Sequence, residues 1–283
     1  MKSEYIKSPL NYVGGKYKLL PQLVPLFPKK INTFVDMFTG GCNVGINVEA
    51  KRIICNDKDK AVIELFNQFK EHSSNDLLMK IDNIIEGYNL SKTNREGFLK
   101  LRTDYNSGNK QWYMFYSLLV HSFNNQIRFN SKGEYNMPFG KDRSSFNASL
   151  RCKFIAFVDA LKNKNIEFKY NDFRDYKAEK LTADDFVYCD PPYLITTASY
   201  NEQGGWTEKD EHDLLYTLDY LNLQKVKFAL SNVLIHKGKN NNILKEWSKK
   251  YKVHELKNTY KNCNYQTKDR GDNSSLEVLI TNY

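Results

Sequence analysis

The stretch Phe186-Val187-Tyr188-Cys189-Asp190-Pro191-Pro192-Tyr193 decides how the chain is read. After Asp184 and Asp185 its first four residues are unbroken apolar and aromatic, as in a strand buried on both faces, and two prolines then stop it. Proline lacks an amide hydrogen and has a fixed φ, so the chain beyond is a stiff loop whose carbonyls stay outside any ladder. An acid, rigid carbonyls and an aromatic ring therefore meet at a strand's carboxyl end, the edge at which open α/β sheets take their ligands. Ionised Asp190 only accepts hydrogen bonds, and the Pro191 carbonyl is a second acceptor, so the pair suits a planar amino group with two N–H bonds. Tyr193 offers a face to a flat base. An Asp-Pro-Pro turn that merely closes a strand accounts for the same residues, and the octapeptide alone does not separate the two readings.

Working outward, Thr33-Phe34-Val35-Asp36-Met37-Phe38 reads as a buried strand running into Thr39-Gly40-Gly41-Cys42-Asn43-Val44-Gly45, a glycine turn expected to open a helix and to let backbone approach a ligand. A second strand, Arg52-Ile53-Ile54-Cys55-Asn56-Asp57, ends in an acid about twenty residues after the first. That is the βαβ arrangement in which a carboxylate takes ribose hydroxyls. The glycines do not form GxGxxG. Upstream, Asn11-Tyr12-Val13-Gly14-Gly15-Lys16 lacks the spacing of a P-loop and reads, by itself, as a surface turn.

Taken together, Asn11-Tyr12-Val13-Gly14-Gly15-Lys16, Phe38-Thr39-Gly40-Gly41 and Asp190-Pro191-Pro192-Tyr193, in that order, resemble the Dam-type (D12 class, group alpha) DNA adenine-N6 methyltransferases, the phage-encoded members in particular. Leu194-Ile195-Thr196 and Leu230-Ser231-Asn232-Val233-Leu234 resemble them too. The resemblance covers nearly the whole chain. It implies an α/β, Rossmann-like S-adenosylmethionine-dependent methyltransferase sheet with an inserted, mainly helical target-recognition domain that carries a β-hairpin.

Composition sets the outer bounds. A chain of 283 residues, 41% hydrophobic, can bury one large core or two smaller ones. Mean hydropathy is -0.64, and no apolar run reaches bilayer-spanning length. The first residues lack the apolar core of a signal peptide, so a cytoplasmic protein, or host-cytoplasmic if phage-encoded, is expected. Five cysteines without CxxC or zinc spacing read as reduced thiols, and no metal is expected. A net charge of +9 suits a polyanionic partner. Lys237, Lys239, Lys245, Lys249, Lys250, Lys252, Lys257, Lys261, Lys268 and Arg270 crowd the C-terminal third, either as a solvated face or, in part, as phosphate contacts.

From about residue 59 to 164 helical periodicity replaces the buried runs, and Trp112 to Phe123 is apolar enough to be a buried helix. The expected division is therefore 1–60 with 166–283 as catalytic domain and 61–165 as target-recognition domain. Within the insertion, the alternating residues of 124–141 flank a Ser131-Lys132-Gly133 turn, the signal of a β-hairpin. Such a ribbon fits the major groove, where Arg128 could hold guanine O6 and N7. The resemblance implies that this hairpin reads GATC in double-stranded DNA, with Arg128 on guanine, Phe123 beside the extruded base, Pro138 at a base edge, and Asn124, Gln126, Asn130 and Lys141 also on DNA. Gln126 stands where the family usually has Leu or Met, and Asn11 where some members have Lys.

After residue 166 the α/β pattern returns, with a strand at 166–170, a helix at 208–221, a strand at 226–231, a helix at 242–250 and a strand at 276–281. By resemblance Tyr12, Lys16, Asp36, Phe38, Gly40, Gly41, Asp57, Asp172, Phe173 and Asp190 line the cofactor site, and Asp190, Pro191, Pro192 and Tyr193 act on the adenine. The expected reaction is direct methyl transfer to N6 of a flipped base. A non-catalytic DNA-binding protein and a dinucleotide-dependent oxidoreductase are the alternatives, and monomer or weak dimer stays open.

Overall fold

The computed structural model describes residues 5–176, 180–196, 205–257 and 275–283. In chain order its elements are α1 (Leu20–Leu23), β1 (Thr33–Asp36), β2 (Arg52–Asp57), α2 (Lys60–Glu71), α3 (Ser74–Gly87), α4 (Arg95–Asn106), α5 (Trp112–His121), α6 (Ala148–Lys162) and β3 (Ile166–Tyr170). There follow β4 (Phe186–Cys189), α7 (Glu208–Leu223), β5 (Lys227–His236), β6 (Lys239–Asn240), α8 (Asn242–Ser248), β7 (Lys252–Leu256) and β8 (Ser275–Thr281). Among the described residues no helix is long and apolar enough to cross a membrane.

The elements form two compact units. The first comprises the chain up to Tyr17, Gly40–Asn47 and Asp59–Tyr170. The expected insertion lies inside it, but the unit also takes in the N-terminal stretch, the glycine turn and β3, which the sequence places with the sheet. Its helices start where short polar side chains can cap them: Asp59, Ser73, Asn94 and Asn147 each accept from an amide of the following first turn. Helix α5 is buried on every side from Met114 to His121, as its composition predicts. The core is aromatic, with Phe69 edge-on to Trp112, Tyr116 and Phe154 at ring separations of 6.2, 5.5 and 4.9 Å.

The second unit comprises Lys18–Thr39, Val48–Lys58 and the chain from Asn171 on. Its strands run in the order β2-β1-β4-β5-β8-β7, with β6 paired on β5. Strands β2, β1, β4 and β5 are parallel, while β8 lies antiparallel between β5 and β7. Val35, Val187, Phe228, Leu230, Val278 and Ile280 from the strands pack with Leu214, Leu218 and Leu221 of α7 in one core.

Three expectations need correction. No α-helix joins β1 to β2, only a 3-10 turn at Gly45–Asn47, because positive φ at Gly40 and at Cys42 breaks helical geometry immediately after the strand. The 124–141 ribbon contains no continuous strand. It closes through isolated bridges, Ser122 to Phe139 and Phe129 to Tyr135, since Asn124 and Asn125 at positive φ interrupt one arm. Finally, β7 was not expected. Its half-exposed, lysine-led sequence carries little apolar signal, as befits a charged edge strand.

Candidate functional site

In the second unit β1 and β4 are neighbours, paired in parallel with Asp36 opposite Tyr188, and the Met37 amide donates to the Tyr188 carbonyl at 2.9 Å. From β1 the sheet continues to β2 on one side and from β4 to β5 on the other. The loops leaving these strands therefore diverge, which opens the crevice in which α/β sheets bind ligands. Two residues past the paired positions come Phe38 and Asp190. The 190–193 tetrapeptide and the Phe38-Thr39 bend thus leave the sheet side by side.

Asp36, almost wholly buried, accepts from the Thr39 hydroxyl at 3.2 Å. Asp57, also buried, ends β2, and the adjoining Asn56 carboxamide donates to the carbonyls of Met37 and Asn171, both at 3.1 Å. These bonds fasten the bend after β1 and the Asn171-Asp172-Phe173 segment to the end of β2. There Phe38, Phe173 and Trp206 make an aromatic cluster with ring separations of 5.4 to 5.8 Å. Asp172 caps a short 3-10 turn, and Arg174, its guanidinium 4.5 Å from the Phe173 ring centre, pairs with Asp172, Asp210 and Asp213. Arg174 so fixes Asp172 and Phe173 against the first turns of α7. Pro191 is buried and Asp190, Pro192 and Tyr193 are half-buried. The Tyr193 hydroxyl donates to Asp190 Oδ1 at 3.0 Å and also lies 3.3 Å from Glu277 Oε1. Burial first, then the charges of Asp190 and Glu277, push the Tyr193 phenol well above its ordinary range, so it stays a donor.

The remaining expected site residues lie in the first unit. Gly40 has φ +46°, and a Cβ there would come within 2.9 Å of the Tyr12 ring; one on Gly41 would be 3.0 Å from Tyr12 Cβ. Lys16 is not the solvated lysine of a surface turn: it is buried and donates to the Gly14 carbonyl at 2.9 Å. On the ribbon, the Phe123 amide donates to the Pro138 carbonyl at 2.8 Å, and Asn124 bulges at φ +56° with its carbonyl held by Asn11 Nδ2 at 2.7 Å. Arg128 spends Nε and Nη2 on Asn136, at 2.8 and 3.1 Å, and Asn130 closes the turn by bonding Glu134 and the Lys132 amide. Asn130 is thus occupied in shaping the ribbon. The Gln126 carbonyl accepts from the Tyr135 hydroxyl at 3.1 Å.

The model of D12 class N6 adenine-specific DNA methyltransferases matches residues 12–262. The chain belongs to that family. Over 99% of its length this D12 chain is 50% identical to the type II methyltransferase M.FokI of Planomicrobium okeanokoites and 47% identical to the modification methylase StsI of Streptococcus sanguinis. It spans 43% of the length of each. To the DNA adenine methylase of Escherichia coli K12 it is 26% identical, across 88% of this chain and 86% of that one. The expected leaning toward phage Dam-type members therefore gives way to a nearer likeness to type II modification enzymes.

Reading the D12 chain as sequence missed four residues that build the site. Trp206 closes the aromatic cluster, and its indole donates at 2.6 Å to buried Glu211, which also accepts from Asn241 at 2.8 Å and Asn232 at 3.4 Å. Burial raises the Glu211 carboxyl, with the three donors offsetting part of the effect. Arg174 and Glu277 complete the set. Only Trp206 left a trace in the sequence, since it precedes the Thr207 cap of α7. A groove of about 490 Å³ in the first unit also escaped notice; Arg95, Arg102 and Lys141 line it with Thr93, Leu99, Pro138 and Phe139. It contains no carboxylate, and among the described residues none of its three cations is ion-paired.

Proposed function

We propose that this chain is a site-specific DNA adenine-N6 methyltransferase that moves a methyl group from S-adenosylmethionine to an adenine flipped out of double-stranded DNA. The observation that carries this reading is the Asp190-Pro191-Pro192-Tyr193 loop at the β1/β4 switch point, beside the bend after Asp36. The residues fit a nucleoside cofactor: acids end two adjacent parallel strands, where ribose hydroxyls are commonly held, and the buried Phe173 ring offers an apolar wall for a base. Asp57 takes the hydroxyls, Asp172 and Phe173 face the cofactor's adenine, and Asp36 and Phe38 complete its surroundings within the second unit. S-adenosylmethionine, when bound, supplies an electrophilic sulfonium methyl.

The protein's work is then done at the target amine. The N6 lone pair of adenine is delocalised into the ring and is a poor nucleophile. Asp190 and the Pro191 carbonyl each accept one N6 hydrogen, which favours a pyramidal nitrogen and stabilises the positive charge that grows on it. Tyr193 stacks on the base, whose N6 is out of a pocket's reach until it leaves the duplex. Fixing the position and orientation of the amine supplies much of the remaining acceleration.

Arg128 of the ribbon reads a base pair, with Phe123, Asn124, Gln126, Asn130 and Pro138 around it and Lys141 in the cationic groove. GATC, the site implied by the Dam-like ribbon, is the first duplex to try; Gln126 favours adenine at a position where the family usually makes an apolar contact. Mapping N6-methyladenine on DNA treated with the purified protein identifies the site. Asp190→Ala abolishes transfer and leaves duplex affinity largely intact; retained turnover in that variant overturns the mechanism. Calorimetry with S-adenosylmethionine separates this reading from a non-catalytic DNA-binding protein and from a dinucleotide enzyme.

A further inference from the structure

The Tyr193 hydroxyl faces two carboxylates and has one hydrogen to give. It donates to Asp190 Oδ1 at 3.0 Å while Glu277 Oε1 lies 3.3 Å away. Glu277 is 4% exposed, on β8, an interior strand of the sheet that pairs with both β5 and β7. A glutamate is rarely placed so deep unless it is paired, and here the Tyr193 hydroxyl is one of its partners. If the phenol hydrogen sits fully on Asp190, it draws charge from that carboxylate and weakens it as an acceptor for the N6 amine, even though lone pairs remain for both bonds. If Glu277 draws that hydrogen away, Asp190 keeps its charge for N6, and the Tyr193 ring is held at its hydroxyl end.

We propose that Glu277 is a positioning residue: it competes with Asp190 for the Tyr193 hydrogen, and so keeps the Asp190 carboxylate a strong acceptor for the target amine and fixes the tilt of the stacking ring. The inference rests on the methyltransferase reading above and adds to it a third group, from the far end of the chain, acting through the phenol. No bond is made or broken in this step, since one hydrogen moves between two acceptors.

The test is a double-mutant cycle on single-turnover methyl transfer, with E277L and Y193F. E277L removes the acceptor, leaves the phenol hydrogen on Asp190, and slows transfer roughly 10- to 100-fold, the scale of a small misplacement of reacting groups, while the KM for S-adenosylmethionine is unchanged. E277Q keeps an acceptor oxygen and restores most of the rate. In the Y193F background, which has no hydroxyl to divert, E277L costs little more. Should E277L fail to fold, E277D, whose carboxylate is one methylene too short to keep the 3.3 Å contact, takes its place. A second readout needs no cofactor: with the target base set opposite an abasic site, so that pairing no longer differs, wild type binds a duplex with adenine about tenfold more tightly than one with purine, which lacks the amine, and E277L loses that preference. Equal slowing by E277L with and without the Tyr193 hydroxyl, or no slowing at all, overturns the role of Glu277. A wild-type protein that methylates no DNA overturns the reading beneath it.

Discussion

At Gly97, two residues into α4, a Cβ would lie 2.1 Å from the Tyr88 carbonyl oxygen and 2.9 Å from Asn94 Nδ2. Helix propensity favours alanine over glycine by about 1 kcal/mol, but the obstacle here is a backbone oxygen at the end of α3, which cannot swing aside. The clash wins. Gly97→Ala is expected to destabilise the protein by about 1–3 kcal/mol, seen as a lower urea midpoint with an unchanged slope. Gly97 gave no such warning in the sequence, where a glycine among helical residues looks like a weak spot that alanine would repair. The 190–193 tetrapeptide was legible for the opposite reason: its chemistry is contained in four consecutive residues. Glu277, Arg174 and Glu211 become informative only when the fold carries them to their partners, and nothing in Ser275-Leu276-Glu277-Val278 announces that its acid points at a tyrosine eighty-four positions earlier.

Helix α7 shows how an element fixes a loop. Its cap is reciprocal: the Asp210 amide donates to the Thr207 hydroxyl at 3.2 Å, and Asp210 Oδ2 accepts from the Thr207 amide at 2.7 Å. The same carboxylate pairs with Arg174, which carries Phe173 beneath it. Burial acts to raise the Asp210 carboxyl, but the Thr207 bonds and the Arg174 guanidinium outweigh it and hold the group at about 2, below its ordinary 3.8. Because the folded value is depressed, the stabilisation is complete above about pH 4 and is lost as pH falls toward 2. Asp210→Asn lacks it at every pH. The thermal midpoints of wild type and this variant are therefore expected to differ at neutral pH and to converge in acid, as followed by circular dichroism. Most elements were legible from periodicity, and α5 and β4 from unbroken apolar runs. The absent helix after β1 was not, because Gly40-Gly41 reads as a helix-opening turn until Cys42 is seen at φ +56°. The 124–141 ribbon was legible as a turn with two arms, but its bridges are too isolated to form strands.

For the whole molecule the relevant quantity is charge and where it is spent. Of the +9 excess, part of the C-terminal crowd is engaged locally: Lys249 pairs with Glu246 and Lys250 with Asp219, on the protein's own surface. Lys261, Lys268 and Arg270 lie outside the described residues. The cations of the groove in the first unit are spent otherwise. Arg102 gives one donor to the Met137 carbonyl at 2.9 Å, while Arg95 and Lys141 are exposed. Each phosphate contact contributes about 0.9 to the slope of log affinity against log salt on duplex DNA. The double variant R95Q/K141Q is expected to bind duplex DNA more weakly regardless of sequence and to flatten that slope by as much as about 1.8, as read by fluorescence anisotropy over a salt series. An unchanged slope removes the groove from the DNA-binding surface.

Strand β8 follows both β5 and β7 in sequence but sits between them in space. Until residues 275–281 have left the ribosome, β5 and β7 lack the strand that lies between them among the described residues, so the second unit cannot close in the order of its synthesis. Newly made chains thus pass through a stage with an open sheet margin, and a lower growth temperature or added chaperone is expected to raise the soluble fraction, as measured by fractionating lysates.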